Sequence, residues 1–151
     1  MTLLVAACGG FLLAVLWMDL MFDTQALAQR NSAQELPDET LTSIAGYYRR
    51  ATTTSRPMSA LIATVMAVLL GALAFRLASG HYAVWLVVAL AVLAIVPIFV
   101  ALIRTVPNAV RLGRRSDTAT AQTRLAREIL GDHLLCFAMM LAFVVLLLST
   151  S

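Results

Sequence analysis

Carboxylate, guanidinium, amide and imidazole side chains gather where three apolar stretches of this chain begin or end. In chain order they are Asp19, Asp23, Arg104, Asn108, Arg111, Glu128, Asp132 and His133. Carboxylates beside one imidazole can transfer protons, and the same groups can bind a metal ion when enough of them converge. The elements that bring these groups together therefore decide which chemistry is open to them.

The composition places the chain in the membrane class. Its 151 residues are 61% hydrophobic and 13% charged, and the mean hydropathy is +0.88. Such a composition leaves no soluble core, so we expect one integral membrane domain over 1–151, with the lipid bilayer as partner. The net charge of +3 comes from Arg residues beside apolar runs, which indicates membrane orientation and no nucleic-acid partner.

Four apolar runs are long enough to cross a bilayer core of about 30 Å. They cover about 2–22, 57–75, 82–103 and 129–148, and we interpret 76–81 as a tight return turn. The sequence thus predicts an all-α fold, a four-transmembrane-helix up-and-down bundle with amphipathic cytoplasmic connections. The uncharged part of the fourth run, 134–148, is short, so Asp132 and His133 are expected to lie within the membrane.

Local signals refine the helix boundaries. Pro37 followed by Asp38 predicts a helix start, and apolar residues then recur at helical spacing, as in an amphipathic helix lying on the membrane surface. Pro97 predicts a kink in the third span. Ser116 or Asp117 is the expected N-cap of a helix that continues unbroken into the fourth span.

The Arg distribution predicts the orientation. All but one of the eleven Arg residues lie in 23–56 and 104–128. The positive-inside rule then makes both segments cytoplasmic and leaves both termini outside.

Asp19 and Asp132 are expected at the same depth, about three residues inside the inner membrane boundary. A carboxylate there should face the bundle interior and find a partner. Arg104 and Arg111, which share a helix face with Asn108, are the nearest positive charges. One hypothesis is that such ion pairs only fix the helices.

The functional hypothesis is a pocket open to the inner leaflet. In it His133 transfers protons, while Asp132 or Asp19 sets the charge state of the ring. Tyr47 and Tyr48 are then either anchors at the membrane interface or a lid over the pocket.

A metal site is a third hypothesis. Asp19, Asp23, Glu128 and His133 are its candidate ligands, but only one His is available on this side. We therefore predict no metal here, and the residues point to no particular cofactor.

Three short stretches occur in a characteristic order along the chain. They are Tyr47-Tyr48-Arg49 with Pro57 downstream, Pro97-Ile98-Phe99 leading to Val106-Pro107-Asn108 and Leu112, and Arg127 with His133 six residues on. In this order and spacing they resemble the anthrone-oxygenase-like family of small four-helix membrane proteins. The resemblance implies a four-helix bundle and, for some relatives, cofactor-free oxidation of polyphenolic anthrones. Its matching candidates are Tyr47, Asn108 and His133.

Two functional hypotheses result. In the first, an inner-leaflet polar cavity binds an apolar or aromatic small molecule, with cofactor-free oxygenase-like chemistry at His133 and Asn108, Arg104, Arg111, Tyr47 and Tyr48 as ligand contacts. In the second, the chain is a non-catalytic accessory or assembly subunit that binds a membrane-protein partner or a second copy. A transporter is the weaker option, because four spans without repeats leave little pathway.

Overall fold

The computed structural model describes residues 2–27, 34–54, 56–80 and 83–150. Six α-helices make up most of this part of the chain, with a 3₁₀ turn at Thr24–Leu27 and a π turn at Ala101–Thr105. The helices are α1 (Thr2–Asp23), α2 (Asp38–Thr53), α3 (Arg56–Ser79), α4 (Val84–Val100), α5 (Val106–Arg114) and α6 (Ala119–Ser149).

The prediction of an all-α bundle with four membrane-crossing helices is confirmed. Four helical stretches are long and apolar enough to cross a membrane, which makes the chain a multi-pass integral membrane protein. They are Thr2–Leu27, Pro57–Ser79, Val84–Arg114 and Ala119–Ser149. The apolar side chains on their outer faces remain exposed, as surfaces for lipid must.

The predicted return turn after the second span begins too early. Arg76 lies inside α3 and its side chain is buried, donating to the Thr2 hydroxyl at 2.5 Å. Because this charge meets a polar group on α1, it does not end the helix. The chain leaves α3 at Gly80, whose φ of +66° is a left-handed conformation that glycine adopts without strain. His81 and Tyr82 lie outside the described residues.

The third span is continuous but not uniform. α4 continues through Pro97 to Val100, and the departure from α geometry is the π turn that follows. There the Val106 N–H bonds to the Ala101 carbonyl, five residues back. Pro107 comes next, has no N–H, and would crowd the preceding turn of a regular helix. The wider π turn gives its ring space.

Two hydrophobic clusters form the core. One joins α1, α3, α4 and α6 within the spans, through residues such as Leu90 and Phe143. The other joins α2, α5 and α6 at the loop end. Leu41 and Ile44 of α2 are fully buried in this second cluster, so α2 does not lie with its apolar face on the membrane. Residues of α5 and α6 cover that face instead.

The N-cap of α6 lies one residue beyond the predicted pair. Thr118 accepts from the Ala121 N–H at 3.4 Å, and the helix then runs unbroken into the fourth span as expected. Asp117 instead accepts two hydrogen bonds of 2.7 Å from Arg111. These hydrogen bonds and the Arg111 charge hold the pKa of Asp117 below its ordinary value.

Candidate functional site

Five polar side chains from three helices meet where the two hydrophobic clusters adjoin. Asp19 and Asp23 stand one turn apart on α1, Tyr47 and Tyr48 are consecutive on α2, and His133 lies on α6. The i, i+4 spacing puts both carboxylates on one face of α1, directed at the imidazole. The five groups form one connected cluster, which we call the His133 cluster.

Asp23 is its most buried member, with 1% of its surface exposed. Its carboxylate accepts the Tyr48 hydroxyl at 2.5 Å and bonds Nδ1 of His133 at 2.5 Å. A carboxylate so deeply buried requires such partners. When Asp23 is ionised its carboxylate can only accept, and Nδ1 is then the nitrogen that donates to it. In the neutral ring, Nε2 is then the nitrogen with a free lone pair.

Asp19 lies on the other side of the ring and is more open. It accepts the Tyr47 hydroxyl at 2.5 Å, and its other oxygen is 3.9 Å from Nε2 of His133. That distance is beyond a hydrogen bond, so Nε2 is not committed to Asp19. The Asp19 side chain is 20% exposed, which makes it the edge of the cluster that an outside molecule can reach.

An aromatic pair adjoins this open edge. Phe22 stacks on Tyr47, the hydrogen-bond partner of Asp19, with ring centroids 4.1 Å apart. Elsewhere on α1, the exposed Trp17 packs against Phe137 at 6.1 Å. The partly exposed carboxylate of Asp19 thus lies beside stacked aromatic rings.

Both tyrosines remain hydrogen-bond donors over the physiological pH range. Burial, followed by the hydrogen bond to Asp19, raises the pKa of Tyr47 above its ordinary value. Burial and the charge of Asp23 raise the pKa of Tyr48 further. A phenolate beside either carboxylate would add a second negative charge in a poorly solvated place. Both hydroxyls therefore point into the cluster.

Asp132 is not part of the cluster; of the two carboxylates expected to set the charge state of His133, Asp19 is the one that faces the ring. Asp132 points to the other side of α6, where it pairs with Arg104 at 3.1 Å and accepts the Thr105 hydroxyl at 3.2 Å. Adjacent residues on a helix point about 100° apart, so the two side chains diverge. The predicted ion pair of Asp132 with Arg104 is confirmed. The predicted Arg partner of Asp19 is wrong, since Tyr47 and His133 fill that place.

Asn108 and Arg111 also lie outside the cluster. Asn108 donates to Glu128 at 3.3 Å, and Glu128 pairs with Arg124 at 3.6 Å. Arg111 is occupied by Asp117. The proposed meeting of Asn108 with His133 is therefore wrong: the α5 helix turns that residue toward the loop end of α6.

Asp23 and Thr105 are the residues that sequence reasoning undervalued. Asp23 was expected to support the site only as a helix end or metal ligand, yet it is the closest partner of His133. Its i, i+4 relation to Asp19 was the signal that could have found it. No sequence pattern marked Thr105, because its orientation depends on the π turn that precedes Pro107.

No family model, curated protein or solved structure shows a significant match to this chain. The chemistry of the site therefore has to be argued from its geometry.

The described residues contain no set of ligands for the metal ion considered from the sequence. Across 2–27, 34–54, 56–80 and 83–150, no three His, Cys, Asp or Glu side chains are arranged to hold an ion. Glu128, the candidate ligand outside the His133 cluster, interacts with Asn108 and Arg124 instead. Cys8 and Cys136 are free thiols buried in the bundle, and the Cys136 thiol donates to the Pro97 carbonyl at 3.8 Å.

Two surface cavities lie near the loop end of the bundle. One, of about 380 Å³, is lined by Gln34, Glu35, Thr120, Thr123, Arg124, Arg127 and Glu128. The other, of about 550 Å³, is lined by Arg49, Thr52, Thr53, Val110, Gly113 and Arg114. Neither of these two cavities includes His133.

Proposed function

We propose that this membrane protein binds an apolar, enolisable or phenolic aromatic molecule beside Asp19 and exchanges a proton with it through His133. The observation that carries the proposal is the 2.5 Å bond between Asp23 and Nδ1 of His133. It fixes the ring and leaves Nε2 directed at the accessible edge of the cluster. A histidine oriented in this way by a buried carboxylate is a common proton-transfer device.

Each member of the cluster has a separate part in the proposed transfer. Nε2 of His133 takes the proton, and the carboxylates of Asp23 and Asp19 stabilise the positive charge that develops on the ring. Tyr48 holds Asp23 in place through its 2.5 Å hydrogen bond, and Tyr47 does the same for Asp19. The tyrosines are positioning residues, whereas His133 is the catalytic one.

The surroundings of Asp19 support an aromatic substrate that arrives from the lipid. Phe22 and Tyr47 form a stacked pair beside the carboxylate, an arrangement that aromatic rings favour. The substrate then needs one acidic C–H or O–H on an otherwise apolar body.

An oxygenase-like outcome follows from the resemblance to anthrone oxygenases. Loss of the acidic methylene proton of an anthrone to His133 gives a delocalised anion, which molecular oxygen oxidises. One anthrone and one O₂ yield one anthraquinone and one water, and no cofactor is required for the balance. Tyr47 and His133, two of the three residues implied by the resemblance, are in the cluster; Asn108 is not and has no part in the proposal.

The test is oxygen uptake with a hydroxylated anthrone by the purified protein in detergent. We expect His133→Asn, which keeps a donor near the Nδ1 position, to lower the protein-dependent rate by about 10²-fold or more. Glu128→Gln is the matched control, since Glu128 lies on the same helix and outside the cluster. An unchanged rate in a folded His133→Asn protein would remove the basis of the proposal.

The second candidate function is that of an accessory or assembly subunit, and one surface favours it. The exposed face of α3 carries a stripe of small residues directed away from the bundle: Ala63, Ala67, Gly71, Ala74 and Ala78. Small residues at such spacing let membrane helices approach closely. Under this hypothesis, Gly71→Leu releases a partner that copurifies in mild detergent, while Val68→Leu, exposed on the same helix beside the stripe, retains it. A wild-type protein that purifies as a lone monomer contradicts it.

A further inference from the structure

We infer that the groove between α2 and α5 binds the phosphate group of an anionic phospholipid in the adjacent leaflet. This groove, of about 550 Å³, is lined by Arg49, Thr52 and Thr53 of α2 and by Val110, Gly113 and Arg114 of α5. The inference is independent of the proton transfer proposed for the His133 cluster, because it uses none of the same side chains.

The charge of the groove is not neutralised by the protein. All eight Asp and Glu residues lie in the described part of the chain, and within it none is at ion-pair distance from Arg49 or Arg114. Four other Arg residues at this end have a carboxylate partner: Arg104 with Asp132, Arg111 with Asp117, Arg115 with Asp38 and Arg124 with Glu128. Arg49 and Arg114 line the same groove, where both can bind a single phosphate.

The backbone holds the two arginines in this relation. α5 approaches α2 so closely at Gly113 that a Cβ atom there would lie 2.9 Å from the backbone nitrogen of Arg49. Arg49 and Arg114 therefore extend from two helices fixed against each other. The Thr52 and Thr53 hydroxyls donate to the Tyr48 and Arg49 carbonyls, which leaves the guanidinium groups as the donors for an anion.

The position of the groove favours a lipid over a free anion. Thr53 is the last residue of α2 and precedes Pro57, where the second membrane span begins, by four positions in the chain. The groove therefore lies at the level where phospholipid headgroups border the apolar core. Val110 adds an apolar wall beside the arginines. Arginines at this level attract anionic lipids, each changing the affinity about fivefold.

The experiment is native mass spectrometry of the protein equilibrated with equal amounts of phosphatidylglycerol and phosphatidylcholine of the same acyl chains. Wild type should retain phosphatidylglycerol preferentially, by roughly twentyfold. The Arg49→Gln/Arg114→Gln variant should lose most of that preference. The control variant Arg111→Gln/Arg124→Gln removes the same amount of charge from arginines that are already paired with carboxylates. It should retain the preference for phosphatidylglycerol.

Three results would overturn the inference. They are equal retention of the two lipids by wild type, an equal loss in the control pair, and displacement of the lipid by millimolar inorganic phosphate, which would assign the groove to a free anion. Arg49→Lys/Arg114→Lys guards against a folding artefact. It restores the charge and should restore most of the preference.

Discussion

Asp23 shows how one buried carboxylate can organise a site. With 1% of its surface exposed, it depends on Tyr48 and His133 for hydrogen bonds. Removing a single donor leaves that charge under-solvated, which costs more than an average hydrogen bond contributes. The stability of the fold and the orientation of the imidazole are therefore linked through this residue.

Tyr48→Phe tests that link. We expect it to lower the free energy of unfolding by about 1.5–3 kcal/mol, because it removes a donor from a buried charge. Tyr47→Phe is the matched substitution at Asp19, whose side chain is 20% exposed, and should cost less because water can reach that carboxylate. Denaturant titration in detergent measures both. Equal losses in the two variants would contradict the greater dependence of Asp23.

The tyrosines also give a pH prediction. The pKa values of Tyr47 and Tyr48 are raised above the ordinary value of 10.0, so the folded state disfavours both phenolates. Stability contributed by these phenols is intact below about pH 10 and falls as the pH rises further, since the unfolded chain releases the protons first.

Near-ultraviolet absorbance of tyrosinate tests this directly. The chain contains three tyrosines, and Tyr82 lies outside the described residues. In the folded protein the ionisation assigned to Tyr47 and Tyr48, by difference from their Phe variants, should occur above about pH 10. Ionisation of both at pH 10 in a protein that remains helical would contradict the burial of their hydroxyls.

Individual contacts were only partly predictable from the sequence. Depth and the rule that buried charges need partners placed Asp132 beside Arg104, and helical spacing put Asp19 and Asp23 on one face. The choice of tyrosine over arginine as the partner of Asp19 depends on how α2 packs, which no local pattern contains. The rotation between Asp132 and His133 separated two residues that the sequence places side by side.

At the scale of elements, the contact of α2 with α5 determines where the site forms. α2 buries Leu41 and Ile44 on one side and extends Tyr47 and Tyr48 to the carboxylates of α1. Gly113 allows this approach, because any side chain there would meet the Arg49 backbone. The sequence showed that α2 has one apolar face, but not what covers it. The same apolar face can be covered by lipid or by a neighbouring helix.

Gly113→Ala should therefore destabilise the protein and disturb the cluster. A Cβ 2.9 Å from a backbone nitrogen forces the two helices apart, at a cost of about 1–3 kcal/mol. Gly131→Ala is the control within α6, where a Cβ meets nothing within 4 Å and helix propensity favours alanine by about 1 kcal/mol. Thermal unfolding that affects both variants alike would contradict the close approach at Gly113.

At the scale of the whole molecule, hydropathy alone predicted most of the architecture. The four spans were predicted from uninterrupted apolar length. The observed helices differ from that prediction at their ends, for example at Arg76 and at the N-cap of α6. Side-chain contacts set these ends. Arg76 donates to Thr2 of α1, so α3 continues past it, and Thr118 rather than Ser116 accepts from the Ala121 N–H. Such choices depend on tertiary contacts more than on local preference.

The orientation of the molecule is a separate prediction. Four spans put both termini on one side, and the Arg-rich segments predict that this side is outside. In a cysteine-free background, Thr150→Cys should react with an impermeant maleimide on intact cells, and Ser116→Cys only after permeabilisation. Labelling of both from outside would contradict the fourth span, and the reverse pattern would contradict the orientation.

Proton transfer at His133 is the central claim, and it can be measured apart from oxidation. Under anaerobic conditions in heavy water, the protein should accelerate deuterium uptake at the acidic methylene of a hydroxylated anthrone, followed by nuclear magnetic resonance. We predict that His133→Asn and Asp23→Asn lose this acceleration and that Glu128→Gln retains it. Exchange at the wild-type rate in folded His133→Asn protein would contradict the account.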